Sequence, residues 1–332
     1  MASTARIAAL LSAAGAVAAL AIASAAPVGQ ATPPPKPGVI RNVEVRILST
    51  MLADEGIGEW GFSALIEADG HRLLFDTGAH PDTVSRNLQA LHLDLTTVDD
   101  VILTHNHDDH TAGLVPLRRE YMTRRLSALG RTFVGRGIFY PRLNGDGTPF
   151  ATIGRIRGEY ETLGGQIVEV DRPLEIFPGA WLTGPVPRIH PERNWSALGK
   201  VDAGQGFVED TVPEDMALVL DTTNGLVVVF GCGHAGVINT LELVRAAVSA
   251  SPFQAVIGGL HLFANDDRGL DWTADKLKAL GVRHLMGAHC TGLEAVYRIR
   301  QRAGLDRGSC IVGAVGASFS LAKGFDPLRI AR

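Results

Sequence analysis

Six residues, His105-Asn106-His107-Asp108-Asp109-His110, hold three histidines and two aspartates directly after an apolar, strand-like run, Asp100-Val101-Ile102-Leu103. A solvated polar turn tolerates one or two histidines, but four ligand-type residues spaced His-x-His-x-Asp-His ask for a metal. Borderline cations such as zinc accept both imidazole nitrogen and carboxylate oxygen. A loop leaving a strand can turn His105 and His107 toward one cation and Asp109 and His110 toward a second. Polar residues at a strand's exit are also where open α/β sheets place their sites.

The 332-residue chain is 46% hydrophobic, enough for a sizeable core in one large domain or two medium ones. With 31 Lys and Arg against 35 Asp and Glu it carries no polybasic stripe, so the electrostatic footprint of a nucleic-acid partner is missing. Arg118-Arg119 and Arg124-Arg125 read as a solvated helix face that also carries Glu120. Near the amino terminus, Arg6 precedes an alanine-rich apolar run from Ile7 to Ile22, and Ala23-Ser24-Ala25 offers a small-x-small cleavage pattern. This is the outline of a secretory signal peptide over residues 1–25, followed by a proline-rich linker over 26–40. Export to a periplasm or the medium is the expectation, with a membrane tether if the segment stays uncleaved. Three cysteines do not make a disulfide framework in a chain this long. Cys232 and Cys290 each lie within two residues of a histidine among glycines, which hints at a metal neighbourhood; small buried hydrophobes are the other reading.

Strands lead the mature chain: Val43, Val45 and Ile47 alternate with polar residues, and Phe62–Glu67 and Arg72–Phe75 flank Asp69-Gly70, a hairpin signal. A helix is predicted from Pro81 through Leu91, then the strand that delivers the histidines. Residues 118–167, rich in Gly and Arg, read as an irregular insertion or lid. Strands return at Ile167–Val170, Ala217–Leu220 and Leu226–Phe230, the last two around an Asn224-Gly225 turn. Helices over Val237–Ser249, Thr273–Leu280 and Leu293–Ala303 then alternate with strands at Ala255–Ile257 and His284–Met286. Each half is thus a run of strands followed by helix-strand alternation, which a two-sheet α/β core with helices on both outer faces satisfies.

The motif His105-x-His107-x-Asp109-His110, with Leu74-Phe75-Asp76-Thr77-Gly78, resembles the metallo-β-lactamase superfamily over roughly Val43–Leu321. Its branch similar to the dihydropterin phosphate synthase of methanopterin biosynthesis is matched by Thr183–Arg188, Glu214–Leu218, Gly231-Cys232-Gly233-His234-Ala235-Gly236, Gly258–Leu262 and His289-Cys290-Thr291-Gly292. The resemblance implies a four-layer αβ/βα sandwich over residues 41–332, with a metal site at one edge. It implies metal ligands His105, His107, Asp109, His110, His234 and His289. Asp76 would orient a ligand, Asp215 would support a histidine, and Cys232 and His234 compete for the bridging position, where no clear acidic residue stands. Asp109, Arg188 and His261 are the implied catalytic groups: a proton acceptor that also ligates, a mouth residue for a substrate anion, and a ligand or substrate donor. His190 stands near another motif but reads as part of a solvent loop.

One or two divalent cations, zinc first with iron or manganese as alternatives, would lower the pKa of a bound water from ~15.7 toward ~7 and supply hydroxide at neutral pH. Hydrolysis of a small-molecule ester, lactone, amide or phosphoester is the leading expectation. A transferase similar to the methanopterin-pathway synthase is the second, although pterin intermediates are cytoplasmic and the apolar leader points outward. An exported metal-dependent binding protein without turnover is the third.

Overall fold

Along the central strands every second side chain enters one apolar layer and its neighbours enter another, because strand side chains alternate between faces. The computed structural model describes residues 39–195 and 198–331. The signal-peptide segment and all but the last two residues of the linker lie outside the described residues. In the first half the elements are β1 (Val43–Ser49), β2 (Ser63–Ala68), β3 (His71–Phe75), α1 (Thr83–Ala90), β4 (Asp100–Leu103), α2 (Asp108–Thr111), α3 (Leu114–Tyr121), β5 (Arg131–Gly135), β6 (Arg142–Leu143), α4 (Thr152–Thr162) and β7 (Gln166–Val170). The second half has β8 (Leu174–Phe177), β9 (Ala180–Leu182), β10 (Lys200–Val201), β11 (Val208–Glu209), β12 (Ala217–Thr222), β13 (Gly225–Phe230), α5 (Val237–Ala247), β14 (Phe253–Gly259), α6 (Asp267–Ala279), β15 (His284–Ala288), α7 (Leu293–Ala303), β16 (Cys310–Val312), β17 (Ser318–Ser320) and β18 (Gly324–Asp326).

These build an eight-stranded sheet, order β18-β17-β1-β2-β3-β4-β5-β7, and a seven-stranded sheet, order β16-β15-β14-β13-β12-β9-β8, with a small third sheet β11-β10-β6. Val45, Ile47, Phe75 and Ile102 from the first sheet meet Leu218, Val229, Ile257 and Met286 from the second in one buried layer. The opposite faces carry Leu74, Val101 and Leu103 against α1, α3 and α4, and Val228, Phe230 and Val256 against α5, α6 and α7. The result is the αβ/βα sandwich. The late strands β17 and β18 complete the first sheet beside β1, β17 pairing with β1 with Phe319 opposite Val45.

The stretch 118–167 is not an irregular insertion. It contributes β5, which lies inside the first sheet between β4 and β7, and α4, which covers that sheet; β7 stands at the strand expected over Ile167–Val170. Its pattern is faint because α4 buries only Ile153, Ile156 and Tyr160, while Gly154 and Gly158 face open space. The small sheet is made partly from this stretch through β6.

Arg118 also departs from the solvated-face expectation. It is buried, 2% exposed, and donates to the carbonyls of Leu126, Ala128 and Leu163, tying α3 to the loop before β5 and the end of α4. Arg124 and Arg125 do sit outside, paired with Asp94, Glu120 and Asp99. Among the described residues no helix is long and apolar enough to cross a membrane. Replacing Arg118 by Met leaves three inward carbonyls without their donor. Urea unfolding is expected to show a loss of about 2–4 kcal/mol, since each unsatisfied buried group costs roughly 1 kcal/mol or more.

Candidate metal centre

Strand direction assembles the site. β3 runs parallel to β4, and β13, β14 and β15 run parallel to one another. Their carboxyl ends deliver Asp76, Thr104–His110, Gly231–His234, Leu260–His261 and His289–Cys290, the open-sheet position for a site. Gly231 is required by this convergence: a Cβ there would lie 2.1 Å from Thr104 Oγ1 and 2.6 Å from Asp76 Oδ2.

A hydrogen-bond relay starting at Asp76 sets the histidine tautomers. The buried Asp76 carboxylate accepts from the Thr104 amide at 2.8 Å, from the Thr104 hydroxyl at 2.9 Å and from His110 Nδ1 at 2.7 Å. Having given its proton to Asp76, the Thr104 hydroxyl accepts from His105 Nδ1, 2.9 Å away. Independently, His234 Nδ1 donates to the Asn194 carbonyl at 2.6 Å. In the neutral form of all three rings Nε2 is left as a lone pair, the arrangement by which outer partners orient metal-binding imidazoles; burial lowers His110, but Asp76 and Asp109 outweigh it and raise the ring, so a cation entering there would displace a proton.

Those lone pairs converge. His105 Nε2 lies 3.1 Å from His107 Nδ1, His110 Nε2 lies 3.3 Å from His289 Nε2, and Cys232 Sγ lies 3.1 Å from His110 Nε2. Nitrogens about 2.0–2.1 Å from a tetrahedral zinc would stand roughly 3.3 Å apart, so the spacing fits a shared cation. Donor atoms of His105, Cys232 and His234, of His110, Cys232 and His289, and of His105, Asp109 and His110 form triads within 4.8 Å of one another. The buried Nε2 of His234 has no hydrogen-bond partner, as expected of a group made for a cation. Burial pushes His105 and His234 well below their ordinary value and His107 down to about 4, so these rings are neutral at pH 7. Asp109 is held below the usual carboxylate range: burial opposes this, but His110 and His289 outweigh it. Its Oδ2 is 3.3 Å from His289 Nε2.

His105, His107, Asp109, His110, His234 and His289 thus come together from both halves, with Cys232 among them rather than competing with His234. Arg188 does not face a substrate. Its guanidinium donates to the carbonyls of His234, Thr211 and Val212 and stacks on Trp195, so it clamps the His234 loop. Asp215 supports the backbone rather than a ring: it accepts from the Ala235 amide at 2.8 Å, and burial raises it to about 7. His190 faces Glu242, away from the cluster.

Several contributors escape sequence reasoning. Glu214, buried and raised to about 7 by burial, accepts from the Asn106 amide and pairs with the buried Arg142. Asn194 anchors His234 and also donates to the Leu260 carbonyl. The Thr50 hydroxyl accepts from the His289 amide at 2.9 Å. Cys290 Sγ lies 3.1 Å from Cys232 Sγ. Of these, Glu214 lies in the Glu214–Leu218 match and Cys290 stands beside a histidine, the hint of a metal neighbourhood; Asn194, Arg142 and Thr50 leave no trace in the sequence.

Residues 60–191 match the metallo-beta-lactamase superfamily. The chain is 29% identical over 271 residues to the 7,8-dihydropterin-6-methyl-4-(beta-D-ribofuranosyl)-aminobenzene-5'-phosphate synthase of Methanocaldococcus jannaschii, covering 78% of this chain and 90% of the relative. A solved metal-dependent hydrolase of the beta-lactamase superfamily superposes with TM-score 0.67 at 26% identity, over 83% of this chain and 98% of that one. The fold is shared with the metallo-beta-lactamase fold protein YhfI of Bacillus subtilis, TM-score 0.54 at 15% identity, covering 84% and 99%.

Asp76→Asn tests the relay. An amide nitrogen turned toward His110 no longer accepts from Nδ1, so the proton moves to Nε2 and the lone pair is lost. Zinc affinity, read by competition with a chromogenic chelator, is expected to fall 10- to 100-fold.

Proposed function

We propose that the protein is a metal-dependent hydrolase that attacks a small-molecule ester, lactone, amide or phosphoester with an activated water. The observation that carries this reading is the convergence of imidazoles from both halves, with the Nδ1 atoms of His105, His110 and His234 committed elsewhere. His105, His107 and His234 are proposed to form one ligand set, and Asp109, His110 and His289 the other, with Cys232 between them. A divalent cation held by these residues would supply the Lewis acidity that makes water a nucleophile at neutral pH. Zinc suits the imidazole and sulfur donors, with iron or manganese as alternatives.

The chain's own groups do the rest. Asp109, ionised at neutral pH, is positioned to take the proton released as water adds to the substrate. Trp60 and Phe263, both about half exposed, pack edge to face with ring centres 5.4 Å apart. Trp60 also lies 5.1 Å from the His289 ring, and Phe263 5.1 Å from that of His261. Such an aromatic rim at the mouth supports a substrate with a flat or apolar portion.

The identity to the M. jannaschii synthase supports a second reading, transfer between an aromatic phosphate and a pterin precursor. A panel of esters, lactones, β-lactams and phosphodiesters separates the readings. Turnover of any of them supports hydrolysis. Product only from the aromatic phosphate with a pterin precursor supports transfer, and bound metal without turnover of either supports a binding protein. The Ile7–Ile22 run and Ala23-Ser24-Ala25 support export, which amino-terminal sequencing of the secreted protein would test.

His107→Ala is expected to lose metal and turnover together, as read by elemental analysis and initial rates. His71→Ala, whose ring stacks on Phe177 outside the centre, should leave both unchanged. Trp60→Ala should keep its metal while KM rises roughly tenfold, the equivalent of about 1.4 kcal/mol of lost apolar contact.

A further inference from the structure

Behind the histidine sets lies a sulfur-rich corner. Cys232 and Cys290 are both buried, reduced, and 3.1 Å apart at sulfur. Disulfide sulfurs sit about 2.0 Å apart, so this pair is unbonded, yet it is closer than two independent core thiols would choose. The donor atoms of Cys232, Cys290 and His261 lie within 4.8 Å of one another. His261 Nδ1 is a buried atom without a hydrogen-bond partner, and the residue is held at φ +47°, a left-handed backbone that costs energy in a side-chain-bearing residue.

The surrounding backbone is built to keep the three groups together. The Thr291 hydroxyl donates to the Gly258 carbonyl and accepts from the Leu260 amide, both at 3.0 Å, joining the His261 loop to the Cys290 turn. The Phe263 amide donates to the Cys290 carbonyl at 3.3 Å. At Gly259 a Cβ would stand 3.0 Å from Cys290 Sγ and 2.1 Å from the Gly231 carbonyl, so only glycine permits the approach.

We propose that Cys290 is a metal ligand and that Cys232, Cys290 and His261 form a thiolate-rich cation position contiguous with the histidine sets through Cys232. This rests on the reading of the centre as metal-binding and extends it to groups that reading does not use. Two thiolates and an imidazole favour Zn²⁺, Fe²⁺ or Co²⁺ over Mn²⁺ and Mg²⁺, which prefer oxygen donors. Both thiols give up their protons to the solvent when the cation enters.

The test is Co²⁺ substitution of the full chain, read by the thiolate-to-cobalt charge-transfer absorption in the near ultraviolet. The proposal expects a two-thiolate intensity, about half of it in Cys290→Ser, none in the Cys232→Ser, Cys290→Ser double variant, and no displacement by excess Mn²⁺. A second measurement needs no variant: iodoacetamide labelling in urea sufficient to open the buried thiols, read by mass spectrometry, should find Cys290 protected in the zinc-loaded protein and labelled after chelation, with Cys310, buried against Val296, labelled equally in both as the internal reference. A band unchanged in Cys290→Ser, equal labelling of Cys290 with and without zinc, or full metal loading of a chain in which the two cysteines are joined as a disulfide would each overturn it. Turnover that persists without any sulfur band would defeat this proposal and leave the hydrolase reading intact.

Discussion

A single buried carboxylate organises the centre. Asp76 sits at φ +52° and has three donors around it, two from Thr104 and one from His110. A buried anion of this kind is stable only when fully hydrogen-bonded, so the β4 exit loop must adopt the path that supplies those donors. The same bonds decide which nitrogen of His105 and of His110 stays bare. Fold stability and cation chemistry therefore depend on one set of contacts.

The second half is held with equal care but by different means. Asn194 and Arg188 grip the His234 loop through its ring and its carbonyl. Glu192 accepts from the Ile238 and Asn239 amides and satisfies the start of α5 where a local cap is missing. Asp76, His261 and His289 all take left-handed backbone conformations, and each is a residue whose side chain is turned into the centre. Left-handed side-chain-bearing residues also occur away from the centre, at Asp69, His92, Leu129, Val212 and Leu328, but these three are the ones whose side chains meet there.

Much of the fold was legible because both sheets have strands with clear alternation and turns with unambiguous chemistry. β1–β4, the β12–β13 hairpin, α1, α5 and α7 fall close to where the patterns put them. The 118–167 stretch was misread because its strands are short and its helix shows only three apolar residues. In the centre, the first-half residues announce themselves by being packed into six positions. Asn194 and Arg142 could not: each is an ordinary polar residue locally, and its importance comes from partners tens of residues away. Arg188 was visible but misassigned, since a sequence shows that a guanidinium is present and not that backbone carbonyls have already claimed it.

β17 lies against β1, joining positions about 270 residues apart by a ladder at Val45 and Phe319. Until the last part of the chain is available, that side of β1 is an open edge, a liability for mispairing with other chains. Contacts of such sequence separation also slow folding, because a large loop must close before they form. A chain still lacking β17 would thus carry its first-half histidines on a sheet whose β1 edge stays open.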